Sequence, residues 1–277
     1  MRVLSLCPSP VLSPRPGRCP PTNSPRVDNG PRLFNPWFGG IRPRPHFNNP
    51  SSPFTTVRGA VALISGGKDS VYSLHLSVWQ GFDVRVAGIV VPPPDSLVVQ
   101  HENVRFAEVH ARALGLPAIV SESGAGEDRE VAAIQEVLST ARSAYRVDWV
   151  VVGALSSDYQ RVRFNYPARE LGLRVHTPIW HLDPYSYLER LTRDGFEFII
   201  TRVAAEGLDR SWLGRRITEE NLDELFDVAD RHSFNPAGEG GEYESFVVRT
   251  PLYELDVRGA VNGKRFVISE VVLGDPC

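Results

Sequence analysis

The residues able to do chemistry gather in three glycine-containing clusters. Ser65-Gly66-Gly67-Lys68-Asp69-Ser70 puts two glycines, a lysine, an aspartate and two hydroxyls into six positions. Paired glycines let a backbone approach an anion closely, and Lys68, Ser65 and Ser70 add donors, so this cluster suits a phosphate. Asp69 would either cap amide groups at a helix start or face a pyrophosphate through Mg²⁺. The second cluster is Ser156-Ser157-Asp158-Tyr159-Gln160-Arg161. Gly153 just before it permits close approach to a nucleotide, and Arg161 and Arg163 are able to neutralise phosphate charge. The same Ser157-Asp158 pair also reads as an ordinary helix cap. The third cluster, Glu239-Gly240-Gly241-Glu242-Tyr243-Glu244, follows Asn235-Pro236-Ala237-Gly238 and is therefore a loop. Three acids around two glycines suit Mg²⁺, an ammonium ion or the removal of a proton from it, and they equally suit a solvated turn.

The elements that must position these clusters alternate between strand and helix from residue 59 onward. Apolar runs predict strands over Ala60–Ile64, Val84–Val91, Ala118–Ser121 and Asp148–Gly153. Helical patterns fill the gaps at Asp69–Gln80, Val98–Leu114 and Glu127–Tyr145. Strands joined through helices require right-handed crossovers and a parallel sheet, so the fold class is α/β and Rossmann-like. The first two clusters then follow the carboxyl ends of two strands and should face one crevice. After about residue 160 the pattern loosens into a smaller α/β C-terminal domain. Its expected elements are helices at Pro184–Thr192 and Glu219–Arg231 and strands at Phe196–Val203, Ser245–Arg249 and Arg265–Leu273, with a turn at Asn262-Gly263. The expected organisation is thus an arm over 1–58, a nucleotide-binding domain over 59–160 and a substrate domain over 161–277.

The 277 residues are 42% apolar and 23% charged, and no apolar run approaches the ~20 residues of a membrane-spanning helix. No membrane partner is expected. Cysteine occurs only at Cys7, Cys19 and Cys277, which excludes a disulfide framework and a clustered zinc site and fits a reducing, cytoplasmic compartment. Residues 1–58 hold thirteen of the 23 prolines and eight Arg against one acid, a charge of +7. The remainder carries 22 basic and 32 acidic residues, or −10, which argues against direct nucleic-acid binding through bulk charge. Only two lysines, Lys68 and Lys264, stand among 28 arginines. The proline-rich segment cannot bury enough apolar surface to order itself. It reads as a translated leader ahead of a true start near Val57, as a disordered arm, or as a targeting segment.

The first cluster is not a Walker loop, which would need Gly in place of Ala62 and Ser or Thr in place of Asp69. It resembles the SGGxDS loop of PP-loop enzymes, which split ATP between its α and β phosphates. Taken with GALSSDYQRVR, TPIWHLD, WLGR at Trp212–Arg215 and GEGGEYES at Gly238–Ser245, the chain from residue 59 onward resembles the diphthine-ammonia ligase family. That resemblance implies an adenine-nucleotide α-hydrolase-like domain followed by a family-specific one. It also implies a reaction in which ATP and ammonia amidate diphthine, a modified histidine on translation elongation factor two, releasing AMP and pyrophosphate. The implied cofactors are ATP and Mg²⁺, and the implied partners are the elongation factor and ammonium. Ser65, Gly66, Gly67, Lys68, Asp69, Ser70, His101 and Gly153 would hold ATP, with Asp69 also a metal ligand. Ser157, Tyr159, Gln160, Arg161, Gly240 and Gly241 would face the substrate, and Lys68, Asp69, Glu239, Glu242 and Glu244 would carry the chemistry. Trp180 reads either as core packing or as a wall of the substrate pocket.

The chain departs from the family pattern at Asn165, where many relatives carry Glu, and at Ser245, where Ser replaces Thr and keeps the hydroxyl. The terminal placement of all three cysteines gives no credible nucleophile for releasing ammonia from glutamine, so free ammonia is the expected donor. Two other readings compete. A PP-loop enzyme that modifies tRNA should show a basic surface or a cysteine pair, and a nucleotide-binding sensor without turnover has no use for the acidic loop. Deleting residues 1–56 is expected to leave activity and melting temperature unchanged, and a large fall in melting temperature on truncation would show that the arm docks.

Overall fold

The computed structural model describes residues 58–92 and 103–274. His101 lies outside them. The first part is a parallel sheet of β1 (Arg58–Leu63), β2 (Phe82–Val91), β3 (Ala118–Glu122), β4 (Trp149–Val151) and β5 (Arg174–His176) in the order β3-β2-β1-β4-β5. The helices between the strands are α1 (Lys68–Trp79), α2 (Glu108–Ala113), α3 (Glu127–Tyr145) and α4 (Asp158–Glu170). Strand order reverses between β1 and β4, so the loops that leave these two strands flank the switch-point crevice of an open α/β sheet.

Period-two alternation in β1 divides the core between the two faces of the sheet. Val61 and Leu63 join Val86, Val90 and the α3 stripe of Ile134, Val137, Leu138 and Ala141. Ala60, Ala62 and Ile64 pack on the other face with Leu74, Ala87, Ile89 and Ala111. The smaller second part is built on β6 (Glu197–Val203), which pairs antiparallel with β7 (Arg216–Ile217), β8 (Tyr243–Arg249) and β10 (Arg265–Leu273). β9 (Leu255–Asn262) closes a hairpin with β10 through Asn262 and Gly263. Helices α5 (Pro184–Arg193) and α6 (Leu222–His232) cover this sheet, and Tyr187, Leu188, Leu191, Phe196, Phe198 and Leu225 form its core. Among the described residues no helix is long and apolar enough to cross a membrane.

The strand and helix pattern expected over 60–153 is present, with α3 at its expected bounds and other ends shifted by a few residues. The expected helix over Val98–Leu114 is shorter in its described part, a 3₁₀ turn at Val104–Phe106 followed by α2. The pattern does not loosen at 160. α4 and β5 continue the parallel architecture to His176, with β5 in register beside β4. Both lack a strong signal, since α4 contains Pro167, buries only Pro167 and Ala168 and exposes Tyr166, while β5 is three residues long.

Gly153, where the chain leaves β4, lies directly against the first turn of α1. A Cβ there would stand 2.5 Å from the backbone carbon of Asp69 and 2.6 Å from the Cα of Ser70. Backbone cannot swing aside as a side chain can, so overpacking at this point must separate the strand exit from α1. Gly153→Ala is expected to destabilise the protein by about 1–3 kcal/mol. A urea midpoint equal to that of the wild type would show that the contact is slack.

Candidate active site

The phosphate loop closes on itself through its serines. Ser70 Oγ donates to the Gly67 carbonyl at 3.0 Å, lies 3.2 Å from Ser65 Oγ and accepts from the Ser65 amide at 3.1 Å. Gly66 adopts φ +82°, and an added Cβ would stand 2.6 Å from the Phe246 ring, so both conformation and space require glycine. Its carbonyl accepts from the Val247 amide at 2.9 Å, and the Lys68 amide donates to Ser245 Oγ at 3.2 Å. Strand β8 of the second sheet therefore grips a loop that belongs to the first. Gly67 is the N-cap of α1 and has no side chain to cap it; of the first-turn amides Ser245 takes that of Lys68, and the helix start lines the crevice.

Lys68 is buried, with 3% of its side chain exposed. Its ammonium lies 3.0 Å from Asp69 Oδ2 and 5.2 Å from the centre of the Tyr243 ring. Asp69 Oδ1 accepts from Tyr187 Oη at 2.7 Å. Of the two roles open to Asp69 in the sequence, amide capping does not occur: the carboxylate binds the lysine and a phenol instead.

The acidic loop reaches the same crevice from the second part of the chain. Glu239 Oε1 accepts from the Leu155 amide at 3.1 Å, just beyond β4, while its Oε2 has no partner among the described residues. Burial, reinforced by the negative charge of Asp69, holds the Glu239 carboxyl above the usual carboxylate range, and nearby Lys68 opposes the shift. Glu244 pairs with Arg202 at 3.3 Å.

The crevice, of about 420 Å³, is lined by Ser65, Gly67, Lys68, Asp69 and Ser70 on one side. Gly153, Ser157, Tyr159 and Gln160 form a second side, and Glu239, Gly240, Gly241 and Glu244 a third. Three clusters separated by up to about 180 positions in the sequence thus surround one space of the size that ligand sites typically have. Ser157 also caps α4, its Oγ accepting from the Gln160 amide at 3.3 Å.

Three expected site residues do not line the crevice. Gly66 turns to Phe246. Arg161 pairs with Asp158 and lies 4.9 Å over the Trp180 ring. Glu242 folds back into its own loop, with Oε1 accepting from the Asn235 amide at 3.4 Å. Arg163 is likewise engaged, paired with Glu127 and 3.3 Å over the Tyr159 ring. Trp180 packs at the edge of the first core. Residues with no distinguishing mark in the sequence stand close by: Arg202 in the lining, Tyr187 on Asp69, and His110 beneath Gly66. The one available hint was the position of Tyr187 on a helix that starts at an Asp183-Pro184 cap.

Beneath the loop lie two neutral histidines. His75 Nδ1 donates to the Val71 carbonyl at 2.9 Å, and His110 Nδ1 lies 2.8 Å from Tyr253 Oη. Burial pushes His75 down to about 4 and His110 down to about 3. Their protonation is therefore open to the unfolded chain well before the folded one. Stability is complete above pH ~6.5, where both states are neutral, and falls on acidification toward pH 4 as the unfolded state takes up protons. Acidification from pH 7 to pH 5 is expected to remove about 1–2 kcal/mol per histidine, read from urea unfolding. Equal midpoints at the two pH values would contradict the burial of these rings.

Comparison with known proteins identifies the family. The family model described as the diphthamide synthase N-terminal domain matches residues 58–175, and that described as the diphthamide synthase C-terminal domain matches residues 183–268. The diphthine–ammonia ligase of Danio rerio is 31% identical over 216 residues, covering 71% of this chain and 84% of its own. That of Rattus norvegicus is 30% identical over 216 residues, covering 71% and 80%. A solved chain described as a predicted subunit of tRNA methyltransferase from Methanocaldococcus jannaschii superposes with a TM-score of 0.36 at 18% identity, covering 69% of this chain and 97% of its own. With both domain models matched in order along the described residues, this chain belongs to the diphthamide synthase family.

Proposed function

We propose that this protein amidates diphthine on translation elongation factor two, using ATP and ammonia to form diphthamide and releasing AMP and pyrophosphate. The observation that carries this reading is the convergence of a glycine-lysine phosphate loop and a partly desolvated glutamate on one crevice. A carboxylate is a poor electrophile, so its oxygen must first be joined to AMP, and ammonium must give up a proton to become the ammonia that attacks. The two halves of the crevice suit these two tasks.

In the first task, negative charge develops on the departing pyrophosphate. Lys68 and the start of α1 would bind that charge, and the Ser65 and Ser70 hydroxyls, bonded within the loop, would turn from those bonds to add to it; such preorganised charge is where electrostatic catalysis contributes most. Among the described residues no cluster of three or more His, Cys, Asp or Glu stands ready to cage a metal. Mg²⁺ keeps waters and phosphate oxygens as ligands, so one carboxylate suffices, and Asp69, with one protein donor on each oxygen, retains lone pairs for it. Mg²⁺ would supply charge neutralisation between the phosphates. In the second task, Glu239 is the best-placed proton acceptor: its raised affinity for a proton narrows the gap to ammonium, and its Oε2 has no other partner among the described residues. Glu244 faces the same space, whereas Glu242 acts through the shape of the loop. Ser157, Tyr159 and Gln160 are assigned to the substrate side.

Incubation with ATP, ammonium and diphthine-bearing elongation factor, scoring AMP and the mass of the factor, tests the whole reaction; formation of ADP and phosphate would overturn it. Lys68→Ala is expected to lower the exchange of labelled pyrophosphate into ATP by about 10²–10³ while leaving the circular dichroism unchanged. Glu239→Gln keeps the oxygen that accepts from Leu155 and removes the charge. It should spare pyrophosphate exchange and block amide formation, and amide formation at the wild-type rate across a range of ammonium concentrations would remove Glu239 from the mechanism.

A further inference from the structure

The second part of the chain contacts α1 at a point that matters for the lysine. Tyr187, on the first turn of α5, has 1% exposure, and its hydroxyl lies 2.7 Å from Asp69 Oδ1. The phenol carries the only hydrogen available between these two oxygens, so Tyr187 donates and the Asp69 carboxylate accepts. The other oxygen of Asp69 takes the Lys68 ammonium at 3.0 Å. A carboxylate with donors on both oxygens is fixed in rotation, and so is the cation bound to it.

The other end of α5 is tied to α1 as well. Tyr72 Oη donates to Asp194 Oδ2 at 2.6 Å, at the C-cap of α5, and the Tyr72 and Tyr187 rings are 6.0 Å apart. The two bonds have the same chemistry and join the same pair of helices. Only the Tyr187 bond includes a group of the phosphate loop.

We infer that Tyr187 is a positioning residue for the adenylation step, acting through Asp69 to hold the Lys68 ammonium at the phosphate end of the crevice. This assignment rests on the ligase reading for its catalytic consequence, and on the Tyr187–Asp69–Lys68 geometry alone for the placement itself. It makes the placement of the catalytic lysine depend on a helix of the second sheet.

The test compares Tyr187→Phe with Tyr72→Phe in the full chain. Each loses one hydroxyl between α1 and α5. Tyr187→Phe is expected to lower kcat for pyrophosphate exchange about ten- to hundredfold, the effect of losing a buried hydrogen bond to a charged group, with KM for ATP within about twofold. Tyr72→Phe should stay within about twofold of wild type. In an Asp69→Asn background Tyr187→Phe should add less than about twofold, because the residue it acts through is already altered. Wild-type exchange by Tyr187→Phe, equal losses in the two Tyr variants, or a full additional loss in the Asp69→Asn background would each overturn the assignment.

A second readout does not need turnover. The chain has two lysines, buried Lys68 and exposed Lys264, so an amine-acylating reagent followed by peptide mass analysis reports the first against the second as an internal reference. Loss of the Tyr187 hydroxyl should raise labelling of Lys68 relative to Lys264 several-fold, and Tyr72→Phe should not. An unchanged ratio in Tyr187→Phe would overturn the placement. A wild-type protein that exchanges no pyrophosphate would instead remove the ligase reading, and the labelling ratio would still decide the role of Tyr187.

Discussion

Two hydrogen bonds between a strand of the second sheet and the phosphate loop of the first tie the site together. The Gly66 carbonyl accepts from the Val247 amide, and the Lys68 amide donates to Ser245 Oγ. Buried backbone groups must be paired, and here the pairing partner of a nucleotide loop is supplied from about 180 residues away. Phe246, between the two β8 residues that make these bonds, fills the space that the missing side chain of Gly66 leaves. The loop thus takes its shape from β8, and β8 begins inside the acidic cluster at Tyr243. Phosphate loop and acidic loop are coupled through a single strand, and this brings both loops to one crevice.

The electrostatics follow from that coupling. Residues 59–277 are acidic, and a buried ammonium in such a setting needs near neighbours to hold it. Lys68 has them in the Asp69 carboxylate and the face of Tyr243. Burial raises the proton affinity of Glu239, the Asp69 charge adds to that and Lys68 opposes it, so the state of this acid depends on both neighbours. In the proposed reaction the positive member would meet the developing pyrophosphate charge and the raised acid would take the proton that ammonium gives up. Two tasks of opposite sign are accommodated by partial separation rather than by separate pockets.

Beneath the loop, the apolar chemistry is as specific as the polar chemistry above it. His75 and His110 are kept neutral by burial and sit among Phe196, Phe246 and Tyr253 at ring separations of 4.9 to 6.1 Å. They act there as polarisable aromatic packing with one hydrogen bond each, supporting α1 and Gly66 from below. The phosphate loop is therefore a thin layer between a rigid aromatic floor and an open crevice.

Much of this was legible in the sequence because it is local. A strand, a glycine pair and a helix start placed the phosphate loop, since backbone conformation and helix-end donors depend on residues within a few positions of one another. Alternating strands and helices implied the parallel sheet, and its switch point implied that the Lys68 and Ser157 clusters meet. Long-range choices were not legible. Arg161 and Glu242 have the residue types of a binding site, yet Trp180 and Asn235 turn them away from the crevice. Tyr187 and Arg202 look in sequence like a core aromatic and a surface cation, and their roles come from which chain segments pack beside them. Residue type and spacing determine what a segment can do chemically; only tertiary packing decides which side-chain atoms share a space, because hydrogen bonds and ion pairs act over a few ångströms while sequence separation sets no limit on what is brought that close.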